Sequence, residues 1–147
     1  MNNDKWMTNL TLEELKNSIL PKPHKPFEID GFPVFLNTGK ESLPEEIFEK
    51  HPDYDIEVSN LGRIKFNNDV LLQLPDTKQS SPYGYLLVRI KNKNYRVYTL
   101  VAETFCERLN KDVYRTVHHI NNNGMDNRAS NLIWVTKEQH REIHFSL

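Results

Sequence analysis

The chain is short of cysteine, of long apolar runs and of net charge, and each shortage removes a class of protein. A single cysteine, Cys106, in 147 residues excludes an intrachain disulfide and any cysteine-based zinc knuckle. A bound metal would have to be held by histidine. The opening residues, MNNDKWMTNL, contain neither the basic segment nor the apolar core of a secretion signal, and no stretch approaches bilayer-spanning length. A soluble cytoplasmic protein with no membrane contact is expected. The formal net charge of -1 is low for a chain that would bind nucleic acid by neutralising phosphates. Its distribution is uneven: residues 1–61 carry 6 Lys+Arg against 12 Asp+Glu, 62–115 carry 10 against 5, and 116–147 carry 3 against 3. The middle is therefore the basic part, and the acidic first third is either a solvated face or a segment that mimics nucleic acid or regulates access. With 37% hydrophobic residues, the length suits one compact domain with a modest core.

What the chain does have is a concentration of histidine near its end. Four of its six histidines lie in 117–144, VHHINNNGMDNRASNLIWVTKEQHREIH, as the adjacent pair His118 and His119, then His140 and His144 beyond a central Asn131. The pattern predicts a strand over 114–120, on which alternation points His118 and His119 to opposite faces. One could bind metal while the other faces a substrate. The asparagine-rich 121–130 reverses the chain, 132–135 reads as a second strand, and Thr136 with Gln139 three residues later forms a capping box that starts a helix. On that helix His140 and His144 stand at i and i+4 and project from one face. A strand-loop-strand-helix unit of this kind could gather His118, His140 and His144 around one divalent ion.

This segment resembles the catalytic unit of HNH endonucleases, the ββα-metal fold, over 113–147. The resemblance implies that His118 is a metal ligand, His119 the general base, Asn131 a brace for the hairpin, and His140 and His144 the ligands from the helix. The paired helix histidines are similar to the all-histidine version of colicin-type nucleases, whereas many phage and homing members carry aspartate first and asparagine on the helix. One divalent metal is implied, Mg2+ as first choice, with Mn2+, Zn2+ or Ni2+ as alternatives. An imidazole with an ordinary pKa of about 6.5 suits proton removal from water near neutral pH. Products of the family's reaction carry 5′-phosphate and 3′-hydroxyl ends. Asn127 is read as a loop cap without chemistry.

Upstream, Thr11 and Glu14 form a capping box for a helix over 11–20 with Leu12, Leu15, Ile19 and Leu20 on its apolar face. Residues 21–26, PKPHKP, read as an extended connector. Residues 27–36 read as a hairpin about Asp30-Gly31, whose apolar side chains must pack on the body or on a second copy. The stretch YDIEVSNLGRI at 54–64 is similar to the NUMOD-type module that often precedes an HNH unit, with Gly62 in the turn. Arg63 in it is either a phosphate or groove contact or a solvated strand residue. Strands over 85–91 and 94–98, joined at Asn92-Lys93, predict a hairpin whose outer face shows Arg89, Lys91 and Arg96, either to track a DNA backbone or enter a groove or as a charged solvated face. Thr99 is expected to cap a helix running to about Arg108, and its LVAETF at 100–105 resembles the LVA-x-x-F segment between the two modules. Relatives often have histidine where this chain has Tyr98. Arg115 is a phosphate clamp or a solvated strand residue.

The expectation is an α+β chain in three parts: a helix and arm at 1–44, serving dimerisation or regulation, a small β-rich DNA-binding region at 45–112, and the ββα-metal unit at 113–147. The function expected is a metal-dependent endodeoxyribonuclease of phage, mobile-element or small restriction type. It would act on double-stranded DNA in a bacterial or phage-infected cell, as monomer or homodimer. The alternative is a non-catalytic DNA-binding or regulatory protein on the same fold.

Overall fold

A computed structural model describes residues 5–19, 25–76 and 84–145. Most of the expected connector, together with Leu20 of the predicted helix face, falls on 20–24 and lies outside the described residues. The fold is a mixture of small antiparallel sheets and short helices. Helix α1 (Leu12–Asn17) starts at Thr11 with a complete capping box: the Thr11 hydroxyl accepts from Glu14 N–H and the Glu14 carboxylate accepts from Thr11 N–H. Strands β1 (Glu28–Ile29) and β2 (Phe32–Pro33) close a hairpin over Asp30 and Gly31. This arm folds back on the body. Val34 is buried, Phe35 packs on the main core, and Phe27 lies under the Arg128 guanidinium at 4.1 Å. Only Phe32, 76% exposed, points away from it among the arm's large apolar side chains before Leu36.

A four-stranded sheet follows, in the order β3 (Phe48–Lys50), β4 (Glu57–Ser59), β5 (Ile64–Phe66), β6 (Asp69–Val70). Then comes a three-stranded sheet of β7 (Leu74–Asp76), β8 (Tyr85–Ile90) and β9 (Lys93–Arg96). The β8–β9 turn is one residue earlier than predicted: Ile90 pairs with Lys93, and Lys91 and Asn92 take the two positive-φ corners (φ 49° and 67°). A two-residue turn of that kind suits the twist of the strands and favours asparagine at a corner. Leu86, Val88 and Ile90 face the core.

Helix α2 (Val97–Phe105) also departs from expectation. It follows β9 directly, with Arg96 as an N-cap that makes no side-chain cap bond, and it stops at Cys106. Thr99 is inside the helix. The start is set by burial of Val97, Leu100, Val101 and Ala102 rather than by a capping residue. Strands β10 (Thr116–His119) and β11 (Leu132–Val135) form the last hairpin, and α3 (Lys137–His144) closes the chain, capped reciprocally by Thr136 and Gln139.

Strand β11 is buried on both faces, and this fixes the site. Leu132 and Trp134 join the main core with Ile56, Val58, Ile64, Leu86, Val88 and α2. Ile133 and Val135 face the other way, onto Leu15 of α1 and Ile143 of α3. Directly paired residues of an antiparallel ladder share a face. His119 pairs with Leu132 and His118 with Ile133, so the two histidines are sorted to opposite sides of the hairpin by the hydrophobic pattern of the partner strand.

Candidate active site

The loop between β10 and β11 is held by its own side chains. Asn131 Oδ1 accepts from Asn121 N–H (3.0 Å), and Asn131 Nδ2 donates to Asn121 Oδ1 (2.9 Å) and to the Asp126 carbonyl (2.9 Å). Asn121 Nδ2 donates to Asp126, which also accepts from the Arg128 guanidinium at 2.9 and 2.7 Å. Asn123 Nδ2 donates to the Lys25 carbonyl, and Ala129 N–H donates to the Asn60 carbonyl (2.8 Å), tying the loop to the arm and to the β4–β5 turn. Gly124 is required by close approach: a Cβ there would lie 2.5 Å from the Gly84 carbonyl oxygen and 2.9 Å from the Tyr85 ring. Asparagine suits such a loop because one amide can donate and accept at once.

On the α3 side of the hairpin, His118, His140 and His144 converge. Their ring centroids are 5.4, 5.2 and 4.4 Å apart, and one ligand nitrogen from each lies within 4.8 Å of the others. His118 forms the buried floor, His140 is half-buried and His144 is exposed at the rim. Burial, and then the neighbouring imidazoles, push the His118 pKa down to about 3; burial lowers His140 and His144 as well. All three are thus neutral near pH 7, the state a metal requires. His118 Nε2 is buried with no hydrogen-bond partner among the described residues. A buried nitrogen left without a donor, beside two more imidazoles, fits a cation, so these residues could hold a divalent metal.

On the opposite face His119 is buried, and its Nε2 is 2.8 Å from Asn127 Oδ1. Tyr98 stands edge-on to its ring at 5.1 Å between centroids, and Tyr85 lies tilted at 5.9 Å. Burial takes the His119 pKa down to about 4, against the opposing pull of Asn127 and Asp126. Asn127 therefore touches the imidazole rather than only closing the loop, and sequence reading missed it because the partner is set by the fold of the loop, not by a period. Tyr98, two residues before the LVA-x-x-F segment, carries no such signal either beyond the histidine that relatives often have there.

The basic residues divide. Arg63 is not at the surface: it is 0% exposed, and all five of its N–H groups have acceptors inside the protein. Glu46 takes two, at 2.5 and 2.9 Å, and the carbonyls of Asn37, Gly39 and Glu41 take three, at 3.0, 2.7 and 2.9 Å. Both readings weighed for Arg63, a phosphate or groove contact and a solvated strand residue, are corrected to a buried structural hub. Arg115 is likewise buried, its Nη1 donating to the Leu109 carbonyl at 2.8 Å. Its burial replaces both the phosphate clamp and the solvated strand position weighed for it. Arg89 and Lys91 are exposed on the hairpin. Arg96 donates to Tyr98 Oη (3.0 Å) and lies 5.6 Å over the Tyr85 ring, beside the His119 pocket.

No family model matches the chain. Over 103 residues, 66% of this chain, it is 37% identical to an uncharacterized HNH endonuclease, L247, of Acanthamoeba polyphaga mimivirus, and over 67 residues, 43% of this chain, it is 42% identical to a second from that virus, L245. The matches span 23% and 20% of those relatives, so the chain covers a quarter or less of their length. Among solved structures the chain is similar to the HNH homing endonuclease I-HmuI, studied for DNA binding and cleavage, with a TM-score of 0.55 and 25% identity over 65% of this chain and 56% of that one. Relatives by sequence and by fold alike carry the HNH endonuclease name, and the likeness supports that family for this chain.

Proposed function

We propose that the chain is a metal-dependent endonuclease of double-stranded DNA, in which His118, His140 and His144 hold one divalent cation and His119 is the general base. The observation that carries this reading is the back-to-back placement of a three-imidazole cluster and a separately held imidazole on one two-stranded hairpin. When bound, the cation supplies charge stabilisation to the phosphorus oxygens and the departing 3′ oxygen. His119, neutral at pH 7, takes a proton from water; the water oxygen attacks phosphorus, the P–O3′ bond breaks, and O3′ leaves with a proton from solvent. The products are 5′-phosphate and 3′-hydroxyl ends. Asn131 braces the loop. Arg89, Lys91 and Arg96 on the β8–β9 hairpin meet the DNA backbone, with Arg96 nearest the reacting phosphate. Residues 45–112 act as the NUMOD-type DNA-contacting module.

The donor set argues about the ion. Three neutral nitrogens suit Zn2+ or Ni2+ better than Mg2+, which prefers oxygen ligands and keeps its waters. Mg2+ thus drops from first choice. Purified chain incubated with supercoiled plasmid, with and without each ion, tests the proposal. Nicked or linear DNA should appear only with metal and should vanish in His118→Ala. Plasmid left intact with every ion, or cut equally in a chelator, would contradict it.

A further inference from the structure

We infer that Asn127 is a positioning residue that makes Nδ1 the proton-accepting atom of His119, and that the β4–β5 turn around Gly62 seats it. The function assigned to this contact rests on the endonuclease reading, but the geometry does not. Asn127 Oδ1 lies 2.8 Å from His119 Nε2, both residues being buried. A carbonyl oxygen can only accept, so Nε2 must carry the hydrogen and Nδ1 keeps the lone pair. The packed rings of Tyr85 and Tyr98 oppose rotation of the imidazole out of that bond.

A second buried amide lies beside Asn127. Gln73 Nε2 donates to the Gly62 carbonyl at 2.7 Å, which leaves Gln73 Oε1 as an acceptor. Gln73, Gly62 and Asn127 line one small cavity of about 10 Å3. Gln73 Oε1 and Asn127 Nδ2 are both buried without a partner among the described residues. Flipping Asn127 would present its NH2 to His119 Nε2 and require the opposite tautomer.

The seat is tight. Gly62 has φ +96°, and a Cβ on it would lie 3.2 Å from both Cβ and the carbonyl oxygen of Asn127. The neighbouring Asn60 carbonyl accepts from Ala129 N–H at 2.8 Å. The turn of the upstream sheet is therefore packed on the stem of the residue that orients the base. By this account 113–147 alone holds the histidines and Asn127 but neither the turn that seats Asn127 nor the tyrosines packed on His119.

Long-range 15N–1H spectra of the metal-free full chain, with His119 assigned by comparison with His119→Gln, test the proposal. The wild type should show the Nε2–H tautomer, Asn127→Asp should keep it by keeping an acceptor oxygen, and Asn127→Ala should lose it. In plasmid cleavage Asn127→Ala should lower kcat roughly 10- to 100-fold at unchanged KM and metal affinity, with recovery in Asn127→Asp. Gly62→Ala, which displaces Asn127 without altering either hydrogen-bonding group, should reproduce the loss if Asn127→Ala fails to fold. An Nδ1–H tautomer in the wild type, or an unchanged tautomer in Asn127→Ala, overturns the inference even if DNA is cut. A wild type with the expected tautomer that cuts no DNA would refute the endonuclease reading and leave this contact standing.

Discussion

Arg63 and His118 are both buried polar residues, yet one has every donor satisfied and the other has a nitrogen with no partner among the described residues. The bare nitrogen points to chemistry at His118 because two more imidazoles stand beside it. Burial works to raise the Glu46 carboxyl, but hydrogen bonds from Arg63, Leu43 N–H and Ser59 outweigh it and hold its pKa below the usual value. Arg63→Ala would strand that carboxylate in the interior, a loss of about 3 to 5 kcal/mol, measured by urea denaturation. A change near zero would return Arg63 to the surface role first expected of it. The histidine set was legible because its spacings are local: an adjacent pair on a strand, and i, i+4 on a helix. The burial of Arg63 was not, because its acceptors lie at Asn37, Gly39, Glu41 and Glu46, more than fifteen residues earlier in the chain.

Among the elements, α1 and α3 form a unit across the whole length of the chain. Leu15 of α1 is fully buried against Ile133, Val135 and Ile143, so the first helix backs the one that carries His140 and His144. Leu15→Ala should cost about 2 to 5 kcal/mol and weaken metal binding, since α3 would lose its support. Calorimetric titration with Zn2+ at a temperature where the variant remains folded checks this; an affinity equal to wild type would mean that α3 is positioned without α1. Both capping boxes, Thr11 with Glu14 and Thr136 with Gln139, could be read from four-residue patterns. The start of α2 could not, because no cap side chain marks it and the packing of Val97 decides. The arm at 27–36 offered apolar residues that could have met a second copy, and three of them, Phe27, Val34 and Phe35, instead find the body of the protein. No helix among the described residues is long and apolar enough to cross a membrane.

For the whole molecule, the depressed histidines make stability depend on pH. The folded values of about 3 for His118 and about 4 for His119 lie below the ordinary 6.5, so between these limits the unfolded chain binds protons that the native state does not. Stability therefore falls as pH falls through that window. For the metal-free protein the loss from pH 6.5 to 5.5 should be about 1 kcal/mol for each of these two histidines, visible as a lower urea midpoint. A flat profile would mean that the imidazoles are not buried as described. The central claim, that this fold carries a metal centre on one face of a hairpin and a general base on the other, meets its most direct test in one comparison. Plasmid cleavage by the wild type and by His119→Ala is measured at matched metal occupancy. The expected result is one ion bound to each chain with cleavage slowed roughly 100- to 10,000-fold in the variant. Equal rates, or loss of the ion together with His119, would contradict the division of labour between His118 and His119.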